Sequence, residues 1–266
     1  MAFNRKVLWV VSMDNDQDEQ LFAEHVDAAG IDTVCIRTTS PRLPAAIDRF
    51  HTAGKKVWAW RWPGIDPDQP TAKGPHYFAQ LEADFVADHL IPAALDGYIV
   101  DPESDHAGDV NDWNDRRHAQ LAMDFWARIK AKASPRFMFG TTSGCAYPSP
   151  AGKPNIPWAE FFGPSAALYP QCYWRMSVWD KVQKKDVPVD INGGTPTRAI
   201  ARGMSAWNQA SMGKPVVPMA GEIDLATVAE IQEYGAQLRQ LNLNEAHFYA
   251  DLPAVKPEVL AAIKAL

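Results

Sequence analysis

The sequence predicts a single (β/α)8 barrel, an α/β fold in which eight parallel strands alternate with helices. Its 266 residues are enough for one barrel-sized domain. No Ser/Gly-rich linker or low-complexity run divides the chain, and its 21 prolines are dispersed rather than clustered. Short β-rich segments also recur along the whole chain, with helical stretches between them. We therefore expect residues 1–266 to form one domain.

Eight segments are predicted to be strands because they are rich in β-branched and aromatic residues and are bounded by polar or turn residues. They cover residues 7–13, 33–38, 56–62, 97–103, 136–142, 167–174, 215–220 and 246–251. Alternation of such segments with helices over this length is typical of a closed barrel.

The segments between these strands carry helix signals. The predicted helices cover residues 18–29, 40–54, 78–91, 112–133, 197–212, 225–241 and 257–266. The first two end at Gly30 and Gly54, because glycine readily takes the left-handed conformation that terminates a helix. The connection at 147–165 contains five prolines, so we expect a long loop there with one short helix at 158–162.

A doubly wound open sheet is the competing architecture. Such a sheet usually has a glycine-rich turn after its first strand, where a phosphate binds. Here the first strand leads instead into the acidic segment 13–19, Met-Asp-Asn-Asp-Gln-Asp-Glu. Acidic residues would repel a phosphate, which favours the barrel.

Charge and hydropathy limit the kinds of partner that this protein can bind. The net charge is −6 and the pI is about 5.6, and the basic clusters Arg116-Arg117 and Lys184-Lys185 are too short to follow a phosphate backbone. We therefore expect no nucleic-acid partner. The amino-terminal apolar run of about five residues is too short for a signal peptide, and no other segment is long enough to span a membrane. We expect no membrane partner and a monomeric protein.

The numbers of cysteines and tryptophans indicate where these residues lie. The three cysteines, Cys35, Cys145 and Cys172, form an odd set without metal-ligand spacing, so we expect buried thiols. Ten tryptophans are many for this length. Because indole rings stack on sugars as readily as they fill a core, a few of them are candidates for a binding cleft.

The carboxyl ends of the strands are where a barrel carries its functional side chains. The predicted strands therefore nominate a set of candidates by position alone. The set is Asp14, Arg37, Trp60, Arg61, Trp62, Asp101, Glu103, Thr141, Thr142, Gln171, Tyr173, Trp174, Glu222, Tyr249 and Asp251.

Asp101 and Glu103 are the most informative members of this set. They end an apolar strand two residues apart, so both side chains share one face with their roots about 6.6 Å apart. Side-chain rotation can bring such a pair into the range of about 5 to 9.5 Å that glycoside-cleaving carboxylates occupy. Repulsion between them would keep one protonated and the other ionised. A strand-end turn, in which Asp101 or Ser104 caps the helix that follows, is the alternative.

Aromatic and amide side chains surround the predicted acid pair. The third strand places three tryptophans, at 58, 60 and 62, on one face and Ala59 with Arg61 on the other, but alternation does not decide which face is inward. The sixth strand places Gln171 and Tyr173 on one face, where they suit a ligand rich in hydroxyl and acetamido groups. Asp14 and Asp251, after the first and last strands, would be neighbours in a closed barrel.

The predicted strand ends lack the residues that several other barrel reactions require. No lysine lies at a predicted strand end, as a Schiff-base aldolase requires, because Lys55, Lys56 and Lys214 precede their strands. The last two strands lack the glycine-rich loops of a phosphate site. His247 is the only histidine within a strand, at its start, and a packed histidine is the expected interpretation rather than a zinc ligand. No Gly-x-Ser-x-Gly segment supports a serine triad.

The arrangement resembles the family 25 glycoside hydrolases, the muramidases. The resemblance covers the layout of the whole chain and is specific at Asp101-Pro102-Glu103. It implies that Glu103 protonates the leaving oxygen, while Asp101 positions the acetamido group of the sugar or stabilises charge. The chain departs from the family pattern at two places. Residues 11–15 read Val-Ser-Met-Asp-Asn, where the family has an Asp-Val-Ser type of segment. Residues 141–144 read Thr-Thr-Ser-Gly, where the family usually has Tyr-Thr.

The resulting hypothesis is a glycosidase that cleaves an N-acetylated polysaccharide, with peptidoglycan preferred, without a metal or organic cofactor. Its substrate-binding residues would be Asp14, Arg37, Trp60, Arg61, Trp62, Gln171, Tyr173, Tyr249 and Asp251. We expect it to be cytoplasmic as synthesised and to act on a wall after release or delivery. Two alternatives stay open. One is a non-catalytic barrel that binds glycan or protein, and the other is an enzyme whose carboxylates hold a cation.

Overall fold

The computed structural model describes residues 3–65, 76–104, 106–107, 109–250 and 254–266. Eight parallel strands close into a barrel, which confirms the predicted fold. They are β1 (Arg5–Val10), β2 (Thr33–Arg37), β3 (Lys56–Arg61), β4 (Gly97–Val100), β5 (Met138–Gly144), β6 (Ala167–Gln171), β9 (Met219–Glu222) and β10 (Glu245–Ala250). Their order around the barrel is β1-β10-β9-β6-β5-β4-β3-β2. The carboxyl ends of all eight strands therefore meet at one mouth.

The helices lie between these strands as the sequence predicts, with small differences at their ends. They are α1 (Asp16–Ala29), α2 (Leu43–Thr52), α3 (Ala79–Phe85), α4 (Ala119–Lys130), α5 (Trp158–Phe162), α6 (Pro196–Ala210), α7 (Val228–Gln240) and α8 (Pro257–Ala265). A π-helical turn at Val86–Leu90 continues α3. The helix predicted for 112–133 begins later, after a 3₁₀ turn at Arg116–His118. The Asp115 side chain caps this turn by accepting a hydrogen bond from the Arg117 backbone N–H.

Local capping explains where several helices begin and end. The Asn15 side chain accepts hydrogen bonds from the backbone amides of Gln17 and Asp18 at the start of α1. Gly30 ends the same helix with φ of 61°, as predicted from its sequence position. At α7, Thr227 and Glu230 form a reciprocal capping box.

Strand alternation divides the side chains between the barrel interior and the surrounding helices. The inward-facing cluster contains Trp9, Cys35, Trp58, Trp60, Ile99 and Tyr169, whereas Ala59 packs with the outer core against the helices. The tryptophan face of β3 is therefore the inward one. The Trp9 and Trp60 ring centroids lie 5.7 Å apart with an interplanar angle of 59°, so tilted aromatic rings fill the interior.

The amino-terminal end of the barrel is closed by a buried polar network around His247. The Trp9 indole N–H donates to His247 Nδ1 at 2.9 Å, and because an indole can only donate, Nδ1 carries no proton. His247 Nε2 then donates to Glu245 Oε1 at 2.6 Å, and Glu245 also pairs with Arg5 at 3.0 Å. Burial lowers the pKa of His247. The histidine is a packed structural residue, as expected.

An antiparallel hairpin follows β6 and corrects the predicted strand at 167–174, which ends at Gln171. The hairpin consists of β7 (Arg175–Asp180) and β8 (Lys185–Asp190). Its turn has no glycine, and Lys184 adopts φ of 51° instead, so the usual turn signal is missing from the sequence. Pro188 is tolerated because β8 is an edge strand.

Two further sequence expectations concern thiols and membranes. Cys35, Cys145 and Cys172 are all buried and form no disulfide, and the last two have their sulfurs 4.0 Å apart. Within the residues that the structure describes, none of the helices is long and apolar enough to cross a membrane.

Candidate active site

Asp101 emerges at the mouth directly after β4. Its backbone N–H donates to the carbonyl of Arg61 at 2.8 Å, which extends the pairing of β3 with β4 by one residue. Ile99 points into the barrel, and because side chains two residues apart share a face, Asp101 points inward as well. Its Oδ2 accepts a hydrogen bond from Gln171 Nε2 at 3.0 Å. Only 2% of Asp101 is exposed. The acid is thus held at the mouth by an amide from β6.

Glu103 lies two residues further along and is half-buried. Its backbone carbonyl accepts from Trp113 N at 3.0 Å, and the preceding Pro102 carbonyl accepts from Ser143 Oγ at 2.7 Å. These bonds fix the segment although it is not part of a strand. Ser143 was missed as a contributor, because its role depends on which loop it faces rather than on its own sequence pattern.

Tyr173 lies among the acids of the mouth. Its ring stacks on that of Tyr249, with centroids 5.9 Å apart and an interplanar angle of 12°. Burial raises the pKa of Tyr173 well above its usual value, and the negative charges of Asp101, Glu103 and Glu222 act in the same direction. The predicted Gln171, Tyr173 and Tyr249 are therefore brought together with the acid pair.

Gly221 makes room for this arrangement. A Cβ atom at this position would lie 2.5 Å from the Tyr173 ring, which is too close for any side chain. The sequence predicts no role for Gly221, because the loops after the last two predicted strands are not rich in glycine. Its contribution is the space for Tyr173, which lies two residues beyond β6 and packs against β9.

Trp60 and Trp62 form the wall of the mouth next to β2. Trp60 is buried, and its indole N–H donates to the Val10 carbonyl at 3.1 Å. Trp62 is half-buried and lies 5.3 Å from the Trp60 ring. Trp62 is thus the indole that a ligand can reach, and Trp60 supports it from below.

Arg37 shares this wall. It ends β2 with the same inward alternation as Cys35, and its guanidinium lies over the Trp62 ring at 5.0 Å. This contact is a cation–π interaction of the kind that orients an arginine at a partly solvated site.

Asp14 is a rim residue rather than a strand-end residue, because β1 ends four positions earlier at Val10. It is exposed and accepts a hydrogen bond from Ser12 Oγ, while its own backbone N–H donates to Asp18 Oδ2 at 2.9 Å. Its charge acts on Arg37. Asp251, its predicted neighbour, lies outside the described residues.

Arg61 is placed away from the mouth, which corrects its predicted position. Because Trp60 points inward, Arg61 points outward and is buried between β3 and α3, with its guanidinium 5.5 Å from the Tyr77 ring centroid. The fully buried Glu82 lies in the same region and accepts from Tyr98 Oη at 3.0 Å. Burial raises the pKa of Glu82 to about 7, although the charge of Arg61 opposes this shift.

The other strand-end candidates have structural contacts. Thr142 donates to the Tyr169 carbonyl at 2.6 Å, Thr141 bonds to the Phe161 carbonyl, and Trp174 packs in the outer core. Glu222 Oε2 accepts from the backbone N–H of Ser177 at 2.8 Å and so ties the hairpin to the rim. In the described part of the chain, no group of three His, Cys, Asp or Glu side chains is arranged to hold a metal ion.

No protein-family model matches this chain, and no curated protein sequence matches it. Solved structures do resemble it. A GH18 chitinase from Pseudoalteromonas aurantia is 14% identical with a TM-score of 0.60, covering 97% of this chain and 98% of that one. The spore cortex-lytic enzyme SleL of Bacillus cereus is 8% identical with a TM-score of 0.63, covering 97% and 74%.

A GH18 N-acetylglucosaminidase from Paenibacillus barengoltzii is 12% identical with a TM-score of 0.61, covering 98% of this chain and 99% of that one. The structural neighbours thus include glycoside hydrolases with a barrel fold. At these identities the likeness concerns the fold alone, and it does not single out family 25.

Proposed function

We propose that this protein is a glycoside hydrolase that cleaves an N-acetylated polysaccharide by carboxylate acid/base catalysis. The observation that carries the proposal is the pairing of Asp101 with Gln171 at the barrel mouth, with Glu103 two residues further on. A barrel mouth that gathers two acids, an amide and stacked phenols has the groups that this reaction requires.

The two acids differ in surroundings, and this difference suggests their roles. Glu103 is half-buried and can approach a glycosidic oxygen, so it would donate the proton to the leaving group. Asp101 is almost fully buried and held by the Gln171 amide, so it would stay in place and orient the acetamido N–H or stabilise positive charge at the anomeric carbon.

The aromatic residues would position the sugar. Trp62 offers a half-buried indole face on one wall, and the stacked Tyr173 and Tyr249 lie across the mouth. Sugars present apolar C–H faces that stack on such rings, while their hydroxyl groups pair with amides and phenols.

Peptidoglycan is the preferred substrate in this proposal, and chitin is the alternative. The names of the similar structures include chitinases and a cortex-lytic enzyme. Both glycans carry the N-acetyl groups that Asp101 and Gln171 would recognise, so these residues do not distinguish between them.

The test is turnover of purified peptidoglycan and of chitooligosaccharides, measured as new reducing ends, by the native chain and by Glu103→Gln. The variant should lose about 10²-fold or more of activity while keeping its fold and glycan affinity, because an amide cannot donate the proton. Glu24→Gln, an exposed glutamate on α1, is the matched control and should be unchanged. Full activity of Glu103→Gln would remove Glu103 from the mechanism, and glycan binding without turnover by the native chain would favour a binding barrel.

A further inference from the structure

Arg37 differs from several other arginines of this protein in how its charge is balanced. Arg42, Arg49, Arg117, Arg128 and Arg175 each form a salt bridge with an aspartate or glutamate. Arg37 forms none with any residue that the structure describes. Its Nε is buried without a hydrogen-bond partner in the same part of the chain.

Within the described residues, the surroundings of Arg37 supply no counter-ion in contact with its guanidinium. Burial lowers the pKa of Arg37, and the positive charge of Arg61 lowers it further. Tyr249 and the exposed Asp14 act in the opposite direction, but from beyond salt-bridge distance. An arginine stays protonated in proteins, so the mouth contains a partly desolvated cation that no carboxylate of the described residues contacts.

The position of Arg37 makes it accessible to a substrate. It is half-buried and lies on the Trp62 ring at 5.0 Å, beside the face on which a sugar would stack. β1 alone separates β2, which carries Arg37, from β10, which carries Tyr249. A sugar resting on Trp62 would therefore place its substituents next to the guanidinium.

The chemistry of this position favours a carboxylate. A guanidinium presents parallel N–H donors that match the two oxygens of a carboxylate. Asp14, Asp101, Glu103 and Glu222 around the mouth would repel a dianionic phosphate monoester about twice as strongly as a monoanionic carboxylate, and one arginine can balance only the single charge. A neutral sugar would leave the charge of Arg37 unbalanced after displacing water.

We propose that Arg37 is a specificity-determining residue that binds a carboxylate group on the sugar chain, so that the substrate is an N-acetylated glycan bearing acidic sugars rather than a neutral one. This inference rests on the proposed function. The carboxylate can belong to a lactyl ether, as on N-acetylmuramic acid, or to a hexuronic acid that alternates with an N-acetylhexosamine.

The test is isothermal titration calorimetry in the Glu103→Gln background, so that ligands are not cleaved. Three tetrasaccharides of equal length serve as probes: alternating N-acetylglucosamine and N-acetylmuramic acid, a hyaluronan tetrasaccharide and chitotetraose. At least one acidic tetrasaccharide should bind about 10-fold more tightly than chitotetraose, since hydrogen bonds to charged groups exceed neutral ones. Raising the salt from about 50 to 500 mM should reduce this advantage.

Adding Arg37→Gln should remove the preference and leave chitotetraose affinity within about twofold, whereas Arg37→Lys should keep part of it. Arg116→Gln, an exposed arginine outside the mouth, is the control. Thermal melting of each variant separates loss of binding from loss of fold. Whichever acidic ligand is preferred identifies the source of the carboxylate.

Two results would overturn the inference while leaving the proposed function standing. One is equal affinity for all three ligands before Arg37 is changed. The other is an equal loss of affinity for chitotetraose and the acidic ligands in Arg37→Gln, which would make Arg37 a packing residue. Binding of none of the three would overturn the proposed function together with the inference.

Discussion

The two ends of the barrel are built from the same strands but treat charge differently. At the amino-terminal end, Arg5, Glu245 and His247 bond to one another and to the Trp9 indole. At the carboxyl end, Asp101 is held by an uncharged amide, and Arg37 has no carboxylate in contact within the described residues. One end is thus a closed structural layer in which charges are paired, whereas the other contains a guanidinium that no carboxylate of the described residues contacts.

The largest effect is expected in the closed layer. Trp58 is 1% exposed inside the barrel, so Trp58→Ala should cost about 3 to 5 kcal/mol of unfolding free energy through lost contacts and a cavity. Urea denaturation measures it. If Trp58→Ala lowered the unfolding free energy no more than Trp62→Ala, a change at the half-buried mouth, the division of the barrel into two layers would be contradicted.

The mouth aromatics should show the opposite balance. Trp62→Ala and Tyr173→Ala should each cost about 1 to 3 kcal/mol of glycan binding, because stacking and buried area are lost. Their melting temperatures should fall less than that of Trp58→Ala. Glycan titration and thermal melting on the same samples make the comparison, and large melting losses with unchanged affinity would assign both rings to the core.

The pH dependence of stability tests the network at the closed end. The pKa of His247 is lowered in the folded state, so the unfolded chain takes up a proton as the pH falls below about 6.5 while the folded chain does not. The contribution of His247 to the unfolding free energy should therefore fall with decreasing pH, by up to about 1.4 kcal/mol per pH unit.

Denaturation at pH 5, 6 and 7.5 measures that slope. The pKa values of His25 and His76 are also lowered, and that of Glu82 is raised to about 7, so other groups titrate in the same pH range. The informative quantity is therefore the difference between the native chain and His247→Gln. His106→Gln, with a side chain 83% exposed, is the matched control. An identical slope in native and His247→Gln protein would show that His247 titrates normally.

The smallest effect concerns metal removal. If paired carboxylates carry the reaction, activity should persist in excess chelator, because no cation has to be held by the mouth oxygens. Reducing-end assays with and without chelator provide the measurement. Loss of activity that added Mg²⁺ or Mn²⁺ restores would favour the alternative hypothesis, in which Asp101, Glu103, Glu222 and Asp251 hold a metal ion.

The order of strands and helices could be predicted because periodicity and glycine stops are local properties of the chain. The position of Asp101 at the mouth could also be predicted, because Asp101 follows an apolar strand and the carboxyl ends of barrel strands meet at the mouth. The inward face of β3 could not be predicted, because both faces of a barrel strand are apolar, and the position of Arg61 depended on that choice. The hairpin at 175–190 was missed because its turn lacks glycine.

That hairpin also gives the protein an optical property. Eight of its ten tryptophans are buried, Trp62 is half-buried at the mouth, and Trp179 on β7 is 56% exposed. A water-soluble quencher of fluorescence therefore reaches Trp179 first. In Trp179→Phe, the remaining quenchable emission comes mainly from Trp62, so its protection on adding a glycan would report occupation of the mouth without any label.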